Sequence, residues 1–398
     1  MKTVYIIDGI RTPIGKLGGA LSTIRPDDLL GAVISELMTR NPFVDPAAID
    51  DIIAGAANQA GEDNRNVARM AALLAGLPVT VPGNTVNRLC ASGLQAIMDG
   101  ARQIQCGDAE LIIACGVESM TRAPFVMAKA STPFQRTAEI YDTTLGWRFV
   151  NSKLKEAYYP YSMGETAENV ARQWSISRTQ QDAFALQSQE RFFEALTNGV
   201  WEQEIVPVSL ENAKGERSVF KQDEHPRKTS LEQLAKLKPA FIKEGTVTAG
   251  NAAGLNDGAA ALLLASEEAV RQFKLKPLAR VVAMSVAGVD PSIMGIGPIP
   301  ATRKALHRSG LAISDIGLIE LNEAFAAQAL ACMHDLELDP GKVNISGGAI
   351  ALGHPLGSSG VRISTTLLHA LHRNQVKYGL ATMCVGVGQG ASIIFEKV

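Results

Sequence analysis

Residues 84–97 read Asn84-Thr85-Val86-Asn87-Arg88-Leu89-Cys90-Ala91-Ser92-Gly93-Leu94-Gln95-Ala96-Ile97. After Cys90, apolar and small residues recur at helical spacing: Leu94, Ile97, Met98, Ala101 and Ile104. Gly107 then supplies a helix stop. Upstream, Val81-Pro82-Gly83 breaks the chain. The spacing therefore predicts a helix that begins at the cysteine. A helix N-terminus carries unpaired N–H groups and about half a positive charge. Both favour a thiolate, which gives Cys90 a physical reason to be a nucleophile. A lone cysteine is equally a good small core residue. This stretch alone leaves both readings open.

The flanking chain carries a repeat. Asp51-Ile52-Ile53-Ala54-Gly55 reads as a buried strand, followed by a polar loop and a helix from Arg65 to Leu74. Asp315-Ile316-Gly317-Leu318-Ile319-Glu320-Leu321 reads alike, followed by Asn322 and a helix from Ala324 to His334. Asp51 and Asp315 stand 264 residues apart, and so do Cys90 and His354. Each of the latter precedes a helix and then a strand, Glu110 to Cys115 in one copy and Gly379 to Cys384 in the other. The repeat permits two copies of one α/β unit. Strands alternating with helices imply parallel pairing and helix-covered sheets. Loops at the carboxyl ends of such strands are where sites form. From about Thr121 to Thr248 the texture changes to charge, aromatics and prolines, among them Phe125, Trp147, Tyr161 and Trp174. The residues alone mark this region only as an insertion. Within it, Ser177 is placed to cap an amphipathic helix.

Bulk properties narrow the class. The chain has 398 residues, 46% of them hydrophobic, enough for a sizeable core and more than one domain. A formal net charge of −2 gives no basis for nucleic-acid binding or broad membrane attraction. No apolar run approaches the ~20 residues of a membrane span. The N-terminus enters a strand-like Thr3-Val4-Tyr5-Ile6-Ile7 without a signal pattern, and Phe395-Glu396-Lys397-Val398 is no peroxisomal address. Five cysteines argue against a disulfide framework. These features lead us to expect a cytoplasmic protein. Cys106, Cys115 and Cys332 read as small core residues. The cysteines and histidines lack zinc-ligand spacing, so no metal is expected. Gly347-Gly348 fits neither a Walker loop nor a dinucleotide fingerprint.

Three further motifs join the Cys90 run. They are Glu320-Leu321-Asn322-Glu323-Ala324-Phe325-Ala326, Gly347 to Gly360 around Gly353-His354-Pro355, and Met383-Cys384-Val385-Gly386-Val387-Gly388-Gln389-Gly390. Together, in order and spacing, the four resemble the signatures of the thiolase family over essentially the whole chain. The resemblance implies a thiolase fold: two duplicated βαβαβαββ-type halves packed in layers with an inserted loop domain. The boundaries expected are 1–120, completed by about 249–270, for the first half, 121–248 for a coenzyme A-binding loop domain, and 271–398 for the second half. It also implies that Cys90 and His354 meet across a pseudo-twofold axis.

The implied chemistry is acyl transfer to and from coenzyme A, a co-substrate, with no permanently bound cofactor. Such chemistry needs a soft nucleophile, a base, oxyanion donors and a second acid/base for carbon. By resemblance, Cys90 is the acylated nucleophile, His354 its base and Cys384 the acid/base at carbon. Asn322 orients a water that forms one oxyanion hole with His354, and the N–H groups of Cys90 and Gly386 form the other. The same comparison puts coenzyme contacts at Arg227, Ser162, Met163, Phe241, Ala249, Ala253 and Phe325. Two of these depart from the usual pattern: Ala253 stands where thiolases usually have Ser, and Ser162 where many acetoacetyl-forming members have His. The partners implied are acyl-CoA substrates and further copies of the chain, as a homodimer or homotetramer. Ala57 to Asn66 and Asp142 to Phe149 resemble the 3-oxoadipyl-CoA thiolases of aromatic-compound breakdown. A substrate of that kind ends in a carboxylate, for which Arg148 is the candidate partner. A solvated loop arginine is the plain alternative. The competing functions are a general acetoacetyl-CoA or 3-ketoacyl-CoA thiolase and a non-catalytic thiolase-like lipid-binding protein. The presence of Cys90, Asn322, His354 and Cys384 together weighs against the latter.

Overall fold

Both copies of the repeat fold into the same unit. The computed structural model describes residues 1–211 and 214–398. The first half runs β1 (Val4–Arg11), α1 (Pro26–Arg40), β2 (Asp51–Gly55), α2 (Val67–Leu74), β3 (Gly83–Val86), α3 (Ser92–Cys106), β4 (Leu111–Ser119) and β5 (Asn256–Ser266). The second runs β6 (Ala279–Gly288), α4 (Pro298–Ser309), β7 (Leu318–Leu321), α5 (Ala326–Asp335), α6 (Leu356–Arg373), β8 (Tyr378–Val385) and β9 (Gln389–Lys397). Where the first half has β3, the second has a single parallel bridge, Ile319 to Val343.

The pairing repeats as well. β2 lies parallel to β4, and β4, β5 and β1 follow antiparallel. β7 lies parallel to β8, and β8, β9 and β6 follow antiparallel. The halves join where Tyr5 and Ile6 pair with Arg280 and Ala279. The alternation of strands and helices implies parallel pairing, which β2 with β4 and β7 with β8 follow, while the final strands of each half make the sheet mixed. The reason is local: only Gly386-Val387-Gly388 separates β8 from β9, and so short a link joins only antiparallel neighbours. Val387 and Gly388 make that turn with φ of 62° and 77°.

Successive strand residues point to opposite faces, and the core divides accordingly. Ile53, Ala114 and Leu262 of the first half face α3 and α6, as do Ala381, Met383 and Ile393 of the second. Ile52, Ala54, Ile113 and Leu263 face α1 and α2 on the other side. Ile319, Leu380 and Ile394 face α4 and α5. Helices therefore sandwich both sheet halves, with α3 and α6 in the middle. Helix ends follow their caps. Gly107 stops α3 with φ of 87°. Asn66 caps α2, so that helix begins at Val67 and not at Arg65. β7 starts at Leu318 because Ile313–Asp315 form a 3-10 turn. Cys115 and Cys332 are buried as expected, but Cys106 is exposed, because the last turn of α3 reaches solvent.

Residues 120–255 form an excursion between β4 and β5, whose facing ends pair directly, Ser119 with Asp257. It holds a hairpin of Phe125–Met127 and Ile140–Asp142 and the helices Met163–Gln173 and Arg178–Thr197. Each helix opens with a capping box, Ser162 with Glu165 and Ser177 with Gln180. Buried Arg11 fastens the excursion to β1 through Glu204 and Asp223, at 2.5 and 2.6 Å. Among the described residues no helix is long and apolar enough to cross a membrane.

Candidate active site

Cys90 sits on the 3-10 turn Leu89–Ala91 that leads into α3, with Leu89 at a φ of 47°. His354 stands just before α6, where Gly353 takes a φ of 104°. The two helix starts meet through glycine. A Cβ on Gly93 would lie 2.6 Å from the Gly357 carbonyl oxygen, and one on Gly360 2.1 Å from the Leu94 nitrogen. No larger residue fits there, so bare backbone brings the cysteine helix against the histidine helix.

The ring of His354 is held at both nitrogens. Its Nδ1 lies 2.6 Å from Ser359 Oγ. That hydroxyl donates its proton to the Pro355 carbonyl at 2.8 Å, so its oxygen is left to accept from Nδ1–H. The lone pair is then on Nε2, which lies 3.4 Å from Asn322 Nδ2. The Asn322 Oδ1 is buried without a partner among the described residues. The His354 N–H donates to Asn256 Oδ1 at 3.0 Å.

Burial governs the charges. It pushes the Cys90 thiol up to about 11, although the nearby backbone N–H groups of Gly386 and of Cys90 itself act to lower it. The helix start does therefore not make a resting thiolate, as position in sequence had suggested. Desolvation outweighs it because the sulfur is enclosed by both halves of the molecule. Burial likewise takes His354 down to about 3, with Arg362 adding to the effect. The imidazole is neutral and able to accept a proton. Cys384, at the end of β8, is raised well above the ordinary thiol range, first by burial and then by the neighbouring Cys90. It packs with Ala252, Phe325 and Met163.

A cavity of about 350 Å³ opens onto Cys90. Met163, Ser162 and Gly386 line it near the sulfur, and Thr143, Trp147 and Arg148 line it further out. Arg148 is the only basic side chain in the lining, and it has no ion pair or hydrogen bond among the described residues. Glu118, the only acidic one, accepts from the N–H groups of Ala57, Asn58 and Gly357 at 2.8–3.0 Å. Burial still raises it to about 7. His354, Asn322 and Cys384 are buried and do not line this cavity.

A second group lies outside the cavity lining. The Phe241 and Phe325 rings meet edge to face at 6.1 Å. Phe241 lies so close over Gly164 that a Cβ there would overlap the ring at 2.0 Å, which explains glycine after Met163. The stretch carrying Ala249 and Ala253, at the end of the excursion, is pinned to the excursion's own helices. Glu168 accepts from Thr246 and Val247, and Asp182 accepts from Asn251. Arg227 is exposed and donates to the Ala249 carbonyl. Ser162 caps its helix, so its hydroxyl is already engaged with the Glu165 N–H at 3.4 Å.

Sequence reading missed Glu118, Asn58, Ser359 and Asn256. Glu118 left a signal: it is a carboxyl at the end of an otherwise apolar strand. The other three are ordinary polar residues whose role depends on contacts 5 to 98 residues away along the chain.

Residues 4–268 match the family described as "Thiolase, N-terminal domain", and residues 275–397 match "Thiolase, C-terminal domain". The chain is 57% identical over 401 residues to the "3-oxoadipyl-CoA/3-oxo-5,6-dehydrosuberyl-CoA thiolase" of Escherichia coli (strain K12), with all of both chains covered. It is 47% identical over 399 residues to the "Acetyl-CoA acetyltransferase" of Pseudomonas aeruginosa, again with full coverage of both. The crystal structure of human mitochondrial 3-ketoacyl-CoA thiolase in complex with CoA superposes with a TM-score of 0.92 at 41% identity, covering 100% of this chain and 98% of that one.

Proposed function

The chain belongs to the thiolase family of acyltransferase enzymes, and from that premise we propose that it cleaves 3-oxoadipyl-CoA with coenzyme A to succinyl-CoA and acetyl-CoA. The observation that carries the substrate is Arg148, an uncompensated cation in the cavity that opens onto Cys90. The names of relatives more than half identical to the chain support the same substrate.

In this reading His354 Nε2 takes the Cys90 proton as the sulfur attacks the 3-keto carbon. The N–H groups of Cys90 and Gly386, both near the sulfur, hold the keto oxygen as it becomes an oxyanion. The C2–C3 bond breaks, the succinyl group stays on Cys90, and Cys384 delivers a proton to C2 of the departing acetyl-CoA. His354 and an Asn322-bound water stabilise the enolate oxygen during that step. A second coenzyme A then gives its thiol proton to the Cys384 thiolate, attacks the thioester and leaves as succinyl-CoA, while His354 returns its proton to the Cys90 sulfur. Coenzyme A is a co-substrate throughout. Its pantetheine arm would pass Met163, Ala249, Ala253, Phe241 and Phe325, with Ser162 at the helix start beside it and Arg227 toward the nucleotide end. The coenzyme-binding role of residues 121–248 belongs to the same proposal. So does assembly as a homodimer or homotetramer, supported by exposed Phe125, Met127, Phe134 and Ile140 on and beside the hairpin. A cytoplasmic setting is supported by five free cysteines.

The test is a ratio. An Arg–carboxylate contact in such a site is worth ~1.5–3 kcal/mol, or roughly ten- to a hundredfold in kcat/KM. Arg148→Ala should lower kcat/KM for 3-oxoadipyl-CoA relative to acetoacetyl-CoA by about that factor. Equal losses on both substrates would make Arg148 a structural residue. A wild-type enzyme that cleaves acetoacetyl-CoA as well as 3-oxoadipyl-CoA would instead mark a general thiolase.

A further inference from the structure

Arg148 has no hydrogen-bond or ion-pair partner among the described residues, so its position must be set by the loop that carries it. That loop, residues 143–149, is exposed at Leu145, Gly146 and Phe149. Its two ends are fixed. At one, the Trp147 Nε1–H donates to the Tyr161 carbonyl at 2.9 Å. At the other, Thr143 is buried, and both its N–H and its hydroxyl donate to the Pro124 carbonyl, at 3.3 and 2.6 Å.

The remaining valences of Thr143 are taken by one side chain. The Asn58 amide donates to Thr143 Oγ1 at 2.8 Å and to the Thr143 carbonyl at 3.3 Å. Asn58 is itself buried and fixed: its Oδ1 accepts from the Ala60 N–H, and its N–H donates to Glu118. Glu118 also accepts from the Gly357 N–H, in the first turn of the helix that follows His354. Buried hydrogen bonds therefore run without a gap from the His354 helix, through Glu118 and Asn58, to the loop that holds Arg148. Asn58, Glu118, Thr143 and Arg148 all line the cavity that opens onto Cys90.

We propose that Asn58, through its two bonds to Thr143, is a positioning residue that aims Arg148 at the distal carboxylate of the acyl chain. The inference rests on the reading of Arg148 as that carboxylate's partner. A long flexible side chain on an exposed loop selects poorly unless its backbone is held at the correct distance from the reacting centre. Asn58 fixes that distance relative to the catalytic helix. Its loss frees the loop without removing the guanidinium.

The experiment is a kinetic double-mutant cycle with Asn58→Ala, Arg148→Ala and both together, measured on 3-oxoadipyl-CoA and acetoacetyl-CoA. Asn58→Ala alone should lower the ratio of kcat/KM values for the two substrates roughly tenfold, mainly through KM for 3-oxoadipyl-CoA. In the Arg148→Ala background it should change the ratio by less than about twofold, because nothing remains to be aimed. Thr143→Val, which removes the hydroxyl acceptor from the other side, should reproduce Asn58→Ala and stands in for it if that variant does not fold. Thr143→Ser keeps the acceptor and should keep the ratio. If the two losses multiply in the double variant, Asn58 acts independently of Arg148 and the inference fails. A selective Arg148→Ala beside an unselective Asn58→Ala overturns the inference and leaves the substrate reading standing. An unselective Arg148→Ala overturns both.

Discussion

At Cys90 two effects compete, and their sizes decide the chemistry. A helix start lowers a thiol pKa, but the partly buried Cys90 sulfur gives up much of its hydration, and here burial pushes the thiol up to about 11. His354 is lowered to about 3 by the same burial. At rest Cys90 is therefore a thiol and His354 a neutral imidazole, and in the proposed reaction the proton moves as the sulfur attacks. Alkylation of Cys90 by iodoacetamide, followed by peptide mass spectrometry to separate it from exposed Cys106, should climb roughly tenfold per pH unit from pH 6 to 9 without a plateau. A plateau below pH 7 would mean a preformed thiolate–imidazolium pair. Only part of this is legible in the sequence. The place of Cys90 at a helix start follows from residue spacing. Its depth does not, because the residues that enclose it come from Gly386 and the His354 helix, more than 260 positions away.

At the scale of elements, the contact between α3 and α6 is the decisive one. Gly93, Gly357 and Gly360 let the two helix starts touch backbone to backbone. A methyl group at Gly360 would sit 2.1 Å from the Leu94 nitrogen and would force the helices apart. Overpacking of this kind costs ~1–3 kcal/mol. Gly360→Ala should therefore lower the urea midpoint and also slow acetylation of Cys90 by acetyl-CoA, read by intact mass. Normal acetylation in a folded Gly360→Ala protein would show that this spacing does not set the Cys90–His354 geometry. The repeat that produces this contact is readable as a common offset between Asp51 and Asp315 and between Cys90 and His354. The antiparallel pairing of β5 with β4 was not readable, because β5 follows β4 only after 136 intervening residues, 120–255. A strand pairing across so long an interval leaves no local periodicity to detect.

At the scale of the whole molecule, charge is buried between the layers. Glu320 on β7 faces Arg362 on α6 at 3.4 Å, both almost fully enclosed. Burial outweighs the pairing and raises Glu320 from 4.5 to about 8. A carboxyl with a raised folded pKa binds more protons folded than unfolded, so its contribution is lost as pH rises from about 4.5 to about 8. Glu320→Gln does not titrate. Its urea midpoint relative to wild type should therefore rise between pH 5 and pH 8 and level off above. A difference that stays constant with pH would mean that Glu320 is ionised throughout, held by Arg362.

Ser119, the last residue before the long excursion, and Asp257, the second residue after it, are opposed across one antiparallel pair, so their Cα atoms are about 5 Å apart. A segment whose ends lie that close can be replaced by another of different length with little strain on the strands it leaves and re-enters. Cys90, Asn322, His354, Cys384 and Gly386 all lie on the core, whereas Arg148, Trp147, Ser162 and Met163 lie on the excursion. In the proposed reading the reacting groups lie on the core and the cation that meets the acyl chain lies on the excursion, tied back to the core through Asn58. A chimera carrying this excursion on the core of a short-chain relative should take on this chain's acyl preference only if the relative also presents an amide where Asn58 stands.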